Sequence, residues 1–311
     1  MNSLTLDQIR VFLSIVDEGS FPKAAKSLRR AQSAVTYAIR KLEAEIGVPL
    51  FDRSAYRSVL TPAGRALLTR ARRIAEEAGA FREQARGLAT GLEAELSIVL
   101  DALYPMPEIF DALRAFTEQF PTVPPRLYVA SLGAAANLVT DGTCAIGLLP
   151  SNIAELAALK LTPTTTFHLC PVVSPSHPLA SIQGIIEPHM LRQHVQLVLT
   201  DASTLTAAKD WGVLSPRTWR LADLGAKKSM LLAGLGWGNM PAHMVEDEIK
   251  DGRLTVIQPA GFDSLTPLVL GAAYISEHSL GPAGRWMLAY LTSVTSAPGT
   301  GPRRSRTSSN S

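Results

Sequence analysis

The sequence feature that most constrains the fold is a series of three closely spaced helix patterns at the start of the chain. Thr5 and Gln8 match a Thr-x-x-Gln capping box, and apolar residues recur behind it at helical spacing until Gly19. Ser20 can cap a second, short helix that has a proline in its first turn. A third helix is predicted from about residue 33 to residue 46, where one apolar stripe ends at a glycine. Two short helices joined by a tight connection, the second longer and well patterned, predict a helix-turn-helix.

The third helix carries polar side chains on the face opposite its apolar stripe. They cluster in its N-terminal half, which is the part that enters a major groove in helix-turn-helix proteins. Glutamine and arginine can bond base edges, and hydroxyl groups can bond bases or phosphates. The candidate DNA-reading residues are Gln32, Ser33, Thr36, Tyr37 and Arg40. The spacing alone leaves open the alternative of a three-helix bundle with a solvated polar exterior.

The segment that follows, PLFDRSAYRSVLTP, is extended and interrupted by turn residues, which is typical of a β-wing. Arg53 and Arg57 are placed in this segment to reach phosphates or the minor groove. Thr61 and Pro62 then begin another helix, as its cap and its first residue. Residues 1–61 are therefore predicted to form an all-α winged helix-turn-helix head.

The next predicted helix reaches to about Thr90 and carries apolar residues at alternating steps of four and three. Such a heptad seam is the pattern of a two-helix coiled coil rather than of a helix lying on a globular core. The seam residues are Leu67, Ala71, Ile74, Ala78, Phe81, Ala85 and Leu88. Residues 62–91 are thus predicted as a long linker helix through which the chain forms a homodimer or homotetramer. Packing of the helix on its own domain remains the alternative.

Several short motifs follow one another along this region: GSF, AA with a leucine three residues on, Gln32, VTxxIRxLE, GxPLFDR and LTPAG. The set resembles the N-terminal winged helix-turn-helix of LysR-type transcriptional regulators. The resemblance implies that the recognition helix presents Gln32, Ser33, Thr36, Tyr37 and Arg40 to DNA, with Arg53 and Arg57 on the wing. Members of the family usually have serine in place of Ala31, and Ala38 here is apolar, so the base preference of relatives does not transfer.

From residue 92 onward, β-rich apolar runs alternate with helical patterns, as in LSIVL, MPEIFDALRAFTEQF, RLYVA and CAIGLLP. Alternation of this kind predicts a parallel, doubly wound sheet, and a second such unit begins near HLCPVVSP. The resemblance implies an α/β two-lobed, periplasmic-binding-protein-like effector domain over residues 92–295. Its predicted lobes are lobe 1, about 92–165 and 267–295, and lobe 2, about 166–266. Residues 296–311 cannot bury a core and are predicted to be a disordered tail.

Ligands in open parallel sheets settle at the carboxyl ends of strands and at helix N-termini. By order along the chain, such positions supply the candidate effector-binding residues Asp101, Tyr104, Ser131, Leu132, Pro150, Thr200, Asp201 and Ser203. Relatives commonly have Ser or Thr near Asp101 for a carboxylate effector. An unpaired Asp101 would repel a carboxylate and favour a neutral, phenolic or amine-bearing effector, whereas a lysine or arginine partner would remove that repulsion.

Charge is distributed unevenly along the chain. Residues 1–90 hold 15 Lys/Arg and 9 Asp/Glu, whereas residues 91–302 hold 12 and 18. A basic first third on an acidic body favours a polyanion as the partner of the first part. The leading hypothesis is a sequence-specific transcriptional regulator that binds a double-stranded DNA operator, with a small-molecule effector between the lobes and RNA polymerase as a further candidate partner. The alternatives are an architectural DNA-binding protein without ligand control, and a metabolite-binding protein or enzyme whose basic helices serve assembly.

Other sequence features predict no additional chemistry. Cys144 and Cys170 match no disulfide framework or zinc motif and are interpreted as buried thiols rather than a redox switch. The histidines form no metal-binding pair and no nucleophile-elbow motif occurs, so neither a metal, a cofactor nor an enzyme is expected. The GLGWGN segment, residues 234–239, is interpreted as a helix C-cap and turn rather than a phosphate loop. No apolar run approaches the roughly 20 residues of a membrane span and no signal-peptide pattern begins the chain, so a cytoplasmic protein without a membrane partner is expected.

Overall fold

The computed structural model describes residues 4–52, 58–207 and 209–295. The predicted wing residues Arg53 and Arg57 and the predicted tail, residues 296–311, lie outside these ranges. The chain divides into two compact units, Met1–Thr90 and Gly91–Ser311. Each unit is built around its own hydrophobic core.

The first unit combines helices with a short antiparallel hairpin. Its elements are α1 (Leu6–Glu18), α2 (Phe21–Ser27), α3 (Gln32–Ile46), β1 (Phe51–Asp52), β2 (Val59–Leu60) and α4 (Pro62–Ala89). The expected capping box is confirmed, because the Gln8 amide donates to Thr5 Oγ1 and the Thr5 amide donates to Gln8 Oε1. Gly47 ends α3 in the left-handed conformation, with φ 76°, which glycine adopts without strain.

The core of the first unit joins α1, α2, α3 and the first turns of α4. Phe51 of the hairpin contacts two rings edge to face, with ring centroids 5.6 Å from Phe12 and 5.3 Å from Phe21. Glu43 is buried in α3, and its Oε1 accepts the amides of Leu50 at 2.8 Å and Phe51 at 3.2 Å. The hairpin is thereby fixed to the helix whose other face is the candidate DNA surface.

The predicted seam of α4 divides into two parts. Leu67 and Ala71 pack into the core of the first unit, as the alternative for this helix requires. Beyond them Ile74, Phe81 and Leu88 are exposed in the single chain, Phe81 by 73%. The core of the first unit therefore does not bury these three side chains in the second part of the seam.

The second unit is an α/β structure. Its strands are β3 (Leu96–Asp101), β4 (Pro125–Ala130), β5 (Ile146–Pro150), β6 (Lys160–Phe167), β7 (Leu169–Val173), β8 (Ile185–Ile186), β9 (Gln196–Leu199), β10 (Thr218–Leu221), β11 (Trp237–Pro241), β12 (Thr255–Val256), β13 (Gln258–Pro259) and β14 (Leu268–Tyr274). Its α-helices are α5 (Pro107–Gln119), α6 (Leu132–Thr140), α7 (Ser151–Leu156), α8 (Pro188–Leu191), α9 (Leu224–Leu232), α10 (Ala242–Lys250) and α11 (Pro282–Thr295).

Two larger sheets form the two lobes. The first has the strand order β4-β3-β5-β14-β6, and the second has the order β10-β9-β11-β7-β12. The two-lobed α/β expectation is confirmed, but the expectation of parallel sheets is wrong for part of each sheet. The strands β4, β3 and β5 are parallel, as are β10, β9 and β11, whereas β14, β6, β7 and β12 pair antiparallel to their neighbours.

The mixed strand directions follow from the path of the chain. The chain leaves the first sheet through β6, enters the second sheet through β7, and returns to the first sheet only with β14. The chain reaches β14 from the second lobe, and β14 runs antiparallel to β5. Hydrophobic periodicity reports how a strand is buried but not its direction, which explains the error.

Within the described residues, no helix is long and apolar enough to cross a bilayer. The same residues bring together no group of three or more His, Cys, Asp or Glu side chains that could hold a metal ion.

Candidate functional sites

The five predicted DNA-reading residues lie together on α3. Gln32, Ser33, Thr36, Tyr37 and Arg40 surround one shallow depression in the surface of the first unit. Val35 and Ile39 are buried on the opposite face of the same helix. Tyr37 is 69% exposed, so both its ring and its hydroxyl are accessible to a ligand.

The N-terminus of α3 is left open to a ligand. Its N-cap residue is Ala31, and no side chain caps the first turn. The first amides of a helix lack partners within the helix, and with the helix dipole they favour an anion such as a phosphate. Thr36 differs from the other candidates, because its hydroxyl donates to the Gln32 carbonyl at 3.0 Å. In this arrangement Thr36 presents its methyl group and its oxygen lone pairs outward.

An ion pair that sequence reasoning missed holds the turn before α3. The Arg30 guanidinium donates to both carboxylate oxygens of Asp7 on α1, at 2.7 and 2.8 Å. This hydrogen-bonded pair lowers the pKa of the Asp7 carboxyl. The pair ties the turn before α3 to α1.

A cavity of about 280 Å³ lies between the two lobes of the second unit. Four of the predicted effector-binding residues line it, namely Leu132, Pro150, Thr200 and Asp201. The other four, within the described ranges, contribute to the structure beside the cavity rather than to its lining: Asp101, Tyr104, Ser131 and Ser203. Tyr104, for example, is buried with its hydroxyl 3.3 Å from that of Thr164.

Asp101 has neither of the two environments considered from the sequence. It is 1% exposed, and its carboxylate accepts the amides of Leu103 at 2.9 Å and Leu132 at 2.6 Å. Burial raises the pKa of Asp101 to about 7 despite these bonds, with a smaller contribution from nearby Asp201. Asp101 is thus paired with backbone amides, not with a lysine or arginine, and it is not free to repel an effector as an exposed charge would.

The N-terminus of α6 receives a carboxylate from each lobe. Asp101 of the first lobe bonds the Leu132 amide, and Asp201 of the second lobe accepts the Ala134 amide at 2.5 Å. The hydroxyl of Thr206 also donates to Asp201. This approach requires glycine at position 133, because an added Cβ would lie 2.1 Å from Ser203 Oγ. Two of the amides that could hold an anionic ligand at this helix, those of Leu132 and Ala134, are therefore already bonded to carboxylates.

Lys227 is a cavity residue that the sequence predictions missed. It is 3% exposed, lines the cavity from α9, and donates from Nζ to the Asn239 carbonyl at 2.7 Å. Burial lowers the pKa of the Lys227 ammonium to about 8. The sequence signal for its burial was its spacing. Lys227 lies three residues after Leu224 and four before Leu231, so all three side chains share the buried face of α9.

Asn239 completes this corner of the cavity. Its Nδ2 donates to the Gly212 carbonyl at 3.2 Å, whereas its buried Oδ1 has no hydrogen-bond partner among the described residues. Asn239 belongs to the GLGWGN segment, in which Gly234 turns the chain after α9 and β11 follows. The turn expected there is confirmed, and the last residue of the segment, Asn239, lies in the cavity wall.

The two cysteines differ in burial. Cys144 is buried as expected, but Cys170 is only half-buried, and its thiol donates to the Met240 carbonyl at 3.5 Å. Burial raises the pKa of both thiols to about 11. Neither thiol is therefore activated as a thiolate near neutral pH.

Comparison with known proteins gives matches in both units. The family described as "LysR substrate binding domain" matches residues 89–296, and the family described as "Bacterial regulatory helix-turn-helix protein, lysR family" matches residues 6–65. The chain is similar to the probable HTH-type transcriptional regulator YhaJ of Escherichia coli K12, with 32% identity over 299 residues that cover 92% of this chain and 95% of YhaJ.

More distant matches extend over similar lengths. The HTH-type transcriptional regulator AceR of Acinetobacter baumannii is 25% identical over 302 residues, covering 95% of this chain and 99% of AceR. The solved structure of CrgA, a LysR-type transcriptional regulator from Neisseria meningitidis, is 22% identical with a TM-score of 0.48, covering 95% of this chain and 100% of CrgA.

Proposed function

The chain belongs to the LysR family of bacterial helix-turn-helix transcriptional regulators, and we propose that it reads its operator through the N-terminal half of α3. It is a DNA-binding regulator with a substrate-binding domain. The observation that carries the proposal is the cluster of exposed Gln32, Ser33, Tyr37 and Arg40 on the face opposite the buried stripe.

Each side chain of this cluster has a distinct part in the proposed interface. Gln32 and Arg40 carry the groups that can bond a base edge in two places, and each good pair contributes about 1–3 kcal/mol of discrimination. Ser33 and the uncapped amides beside Ala31 fit a phosphate, which fixes position but not sequence. Tyr37 adds a flat exposed ring next to these groups. We place Arg53 and Arg57 of the wing at the flanking phosphates or the minor groove.

The test compares Arg40→Ala with Arg10→Ala, an exposed arginine of α1 that carries the same charge. Gel retardation is used to measure the affinity of each variant for the DNA upstream of the gene and for random DNA. The ratio of the first affinity to the second measures discrimination. Arg40→Ala should lower that ratio by about 5- to 150-fold, the equivalent of 1–3 kcal/mol. Arg10→Ala should lower both affinities together and leave the ratio unchanged. Equal discrimination by wild type and Arg40→Ala would contradict the assignment.

We further propose that a second copy of the chain covers the exposed part of the α4 seam. The residues of this surface are Ile74, Ala78, Phe81, Ala85 and Leu88. Their spacing is that of a two-helix coiled coil, and Leu67 and Ala71 are left to the core of their own unit. A dimer would place two heads on two half-sites of one operator.

The cavity between the lobes is the proposed effector site. It is lined from both lobes by the ends of strands, and it is not filled by the protein's own side chains. An unfilled cavity favours ligand control over constitutive DNA binding. A ligand can change the activity only as far as it prefers one arrangement of the lobes over another. Because such a regulator acts on transcription, we place it in the cytoplasm, with the DNA and RNA polymerase.

A further inference from the structure

A buried ammonium group in the effector cavity lacks an opposite charge. Lys227 donates one hydrogen bond, to a backbone carbonyl, and among the described residues no carboxylate pairs with it. An ammonium has three protons to donate, and a buried charge is unfavourable unless it is paired. This wall of the cavity therefore carries a cation that no described acidic residue compensates.

The other ionisable groups around the cavity do not supply the missing charge. They are Asp201, Lys209, Asp210, Arg220 and Asp263. The Asp201 carboxylate bonds Ala134 and Thr206, and Asp263 bonds Leu265 and Thr266. Arg220 donates to Asp210 at 2.8 Å, and Lys209 is exposed. Lys227 thus stands apart from them as a cation that is both buried and without an acidic partner.

The N-terminus of α6, which could otherwise bind an anion, already holds two carboxylates of the protein. Asp101 and Asp201 take the Leu132 and Ala134 amides of α6, one carboxylate from each lobe. Lys227 on α9 then offers an anionic ligand a buried cationic donor in the cavity wall. The orphaned Asn239 Oδ1 beside it can accept a hydrogen bond from a hydroxyl or amino group of the same ligand.

The rest of the cavity indicates the body of the ligand. Its walls are largely apolar and aromatic, with Leu103, Phe167, Trp211 and Phe262 among them. A cavity of about 150 Å³ holds one benzene ring. The cavity of about 280 Å³ therefore fits a substituted single ring or a short branched chain.

We propose that Lys227 is the anion-recognition residue of the cavity and that the effector is a small organic carboxylate with an apolar body of about one ring. The inference rests on the proposed function of the cavity as the effector site. The ligand carboxylate supplies the negative charge that the Lys227 ammonium has no partner for. Asn239 selects among carboxylates, because its Oδ1 accepts a hydrogen bond from a neighbouring donor group of the ligand.

The test uses two sets of three compounds that are similar in size but differ in charge. The aromatic set is benzoate, benzamide and benzylamine, and the open-chain set is hexanoate, hexanamide and hexylamine. Binding to the full-length protein is measured by calorimetry and by the shift in Tm. At least one of the two carboxylates should bind more tightly than its amide and amine. Lys227→Met should weaken that carboxylate at least tenfold, to the level of its amide, and Lys227→Gln should do the same if the methionine variant folds poorly.

The matched control is Lys250→Met, which removes the same charge from an exposed lysine of α10 that pairs with Glu246 at 2.7 Å. It should leave carboxylate binding unchanged. Carboxylates that bind both Lys227 variants as tightly as wild type would overturn the inference, as would preferred binding of the amide or amine, or no binding by either carboxylate.

Gel retardation of operator DNA distinguishes failure of the Lys227 assignment from failure of the proposed function of the cavity. If a carboxylate binds in a Lys227-dependent way but leaves the DNA complex unchanged, the recognition residue stands and control by the cavity fails. If an amide or amine changes the DNA complex while carboxylates do not bind, control by the cavity stands and the assignment of Lys227 fails.

Discussion

Replacing Lys227 by methionine should change how the stability of the second unit depends on pH. Burial lowers the pKa of this ammonium from an ordinary value of 10.5 to about 8. One pKa unit corresponds to 1.36 kcal/mol, so the shift of roughly 2.5 units amounts to about 3 kcal/mol. Between pH 8 and 10.5 the unfolded chain keeps the proton that the folded chain has lost, and stability therefore rises with pH in that window. The unfavourable contribution of Lys227 is complete below pH 8 and absent above 10.5.

Tryptophan fluorescence offers a suitable assay, because all four tryptophans, at positions 211, 219, 237 and 286, belong to the second unit. Urea unfolding of the full chain is followed from pH 7 to 10.5 for wild type and for Lys227→Met. The difference between the two free energies cancels the other titrating groups. That difference, wild type minus variant, should rise by up to about 1.4 kcal/mol per pH unit above pH 8, and by about 3 kcal/mol in total.

Parallel curves for the two proteins would refute the reasoning, since they would mean that Lys227 titrates as an exposed lysine does. Lys250→Met serves as the control with the opposite sign. Its partner Glu246 raises the pKa of Lys250, so the stability from this pair is lost only as pH rises through the folded pKa. A rising difference for Lys250→Met would show that the assay responds to something other than burial.

Three further substitutions test the other sites. Phe81→Asp should dissociate the proposed dimer, because each copy would lose about 1.5–3 kcal/mol of apolar burial and gain a buried charge; an unchanged mass in light scattering would count against the seam. Ala31→Ser should slow hydrogen exchange in α3 by stabilising its first turn by about 1 kcal/mol, and unchanged exchange would show that the uncapped terminus is already satisfied. Gly133→Ala should lower the tryptophan-monitored free energy of unfolding by about 1–3 kcal/mol, because the new Cβ meets Ser203; full stability would mean that the contact between the lobes is loose.

The head was predictable from the sequence because its determinants are local. The box formed by Thr5 and Gln8, the cap at Ser20 and the stop at Gly47 each act within one helical turn. The spacing of Val35 and Ile39 then fixes which side of α3 faces outward. For the same reason, the pairing of Arg30 with Asp7, 23 residues away, was not predictable from local pattern.

The proposed effector cavity was only partly predictable, because its chemistry depends on which distant groups meet. Strand order located Leu132, Pro150, Thr200 and Asp201 near the cavity. The partners of Asp101 lie on a loop and a helix that the sequence does not connect with it, so its charge was interpreted without its amide donors. Lys227 was overlooked because a lysine in a helix is ordinarily solvent-exposed.

The arrangement of charge in the cavity links ligand recognition to the joining of the lobes. Asp201 bonds the Ala134 amide across the lobes, and the Ser131 hydroxyl donates to the Ala222 carbonyl at 3.0 Å. A carboxylate that displaced Asp201 from α6 would break a contact between the lobes and gain nothing that the protein did not already have. A carboxylate held by Lys227 keeps those contacts and removes an unpaired buried charge. A carboxylate bound at Lys227 therefore favours the arrangement in which the lobes are joined. Through that preference its binding can affect the rest of the protein.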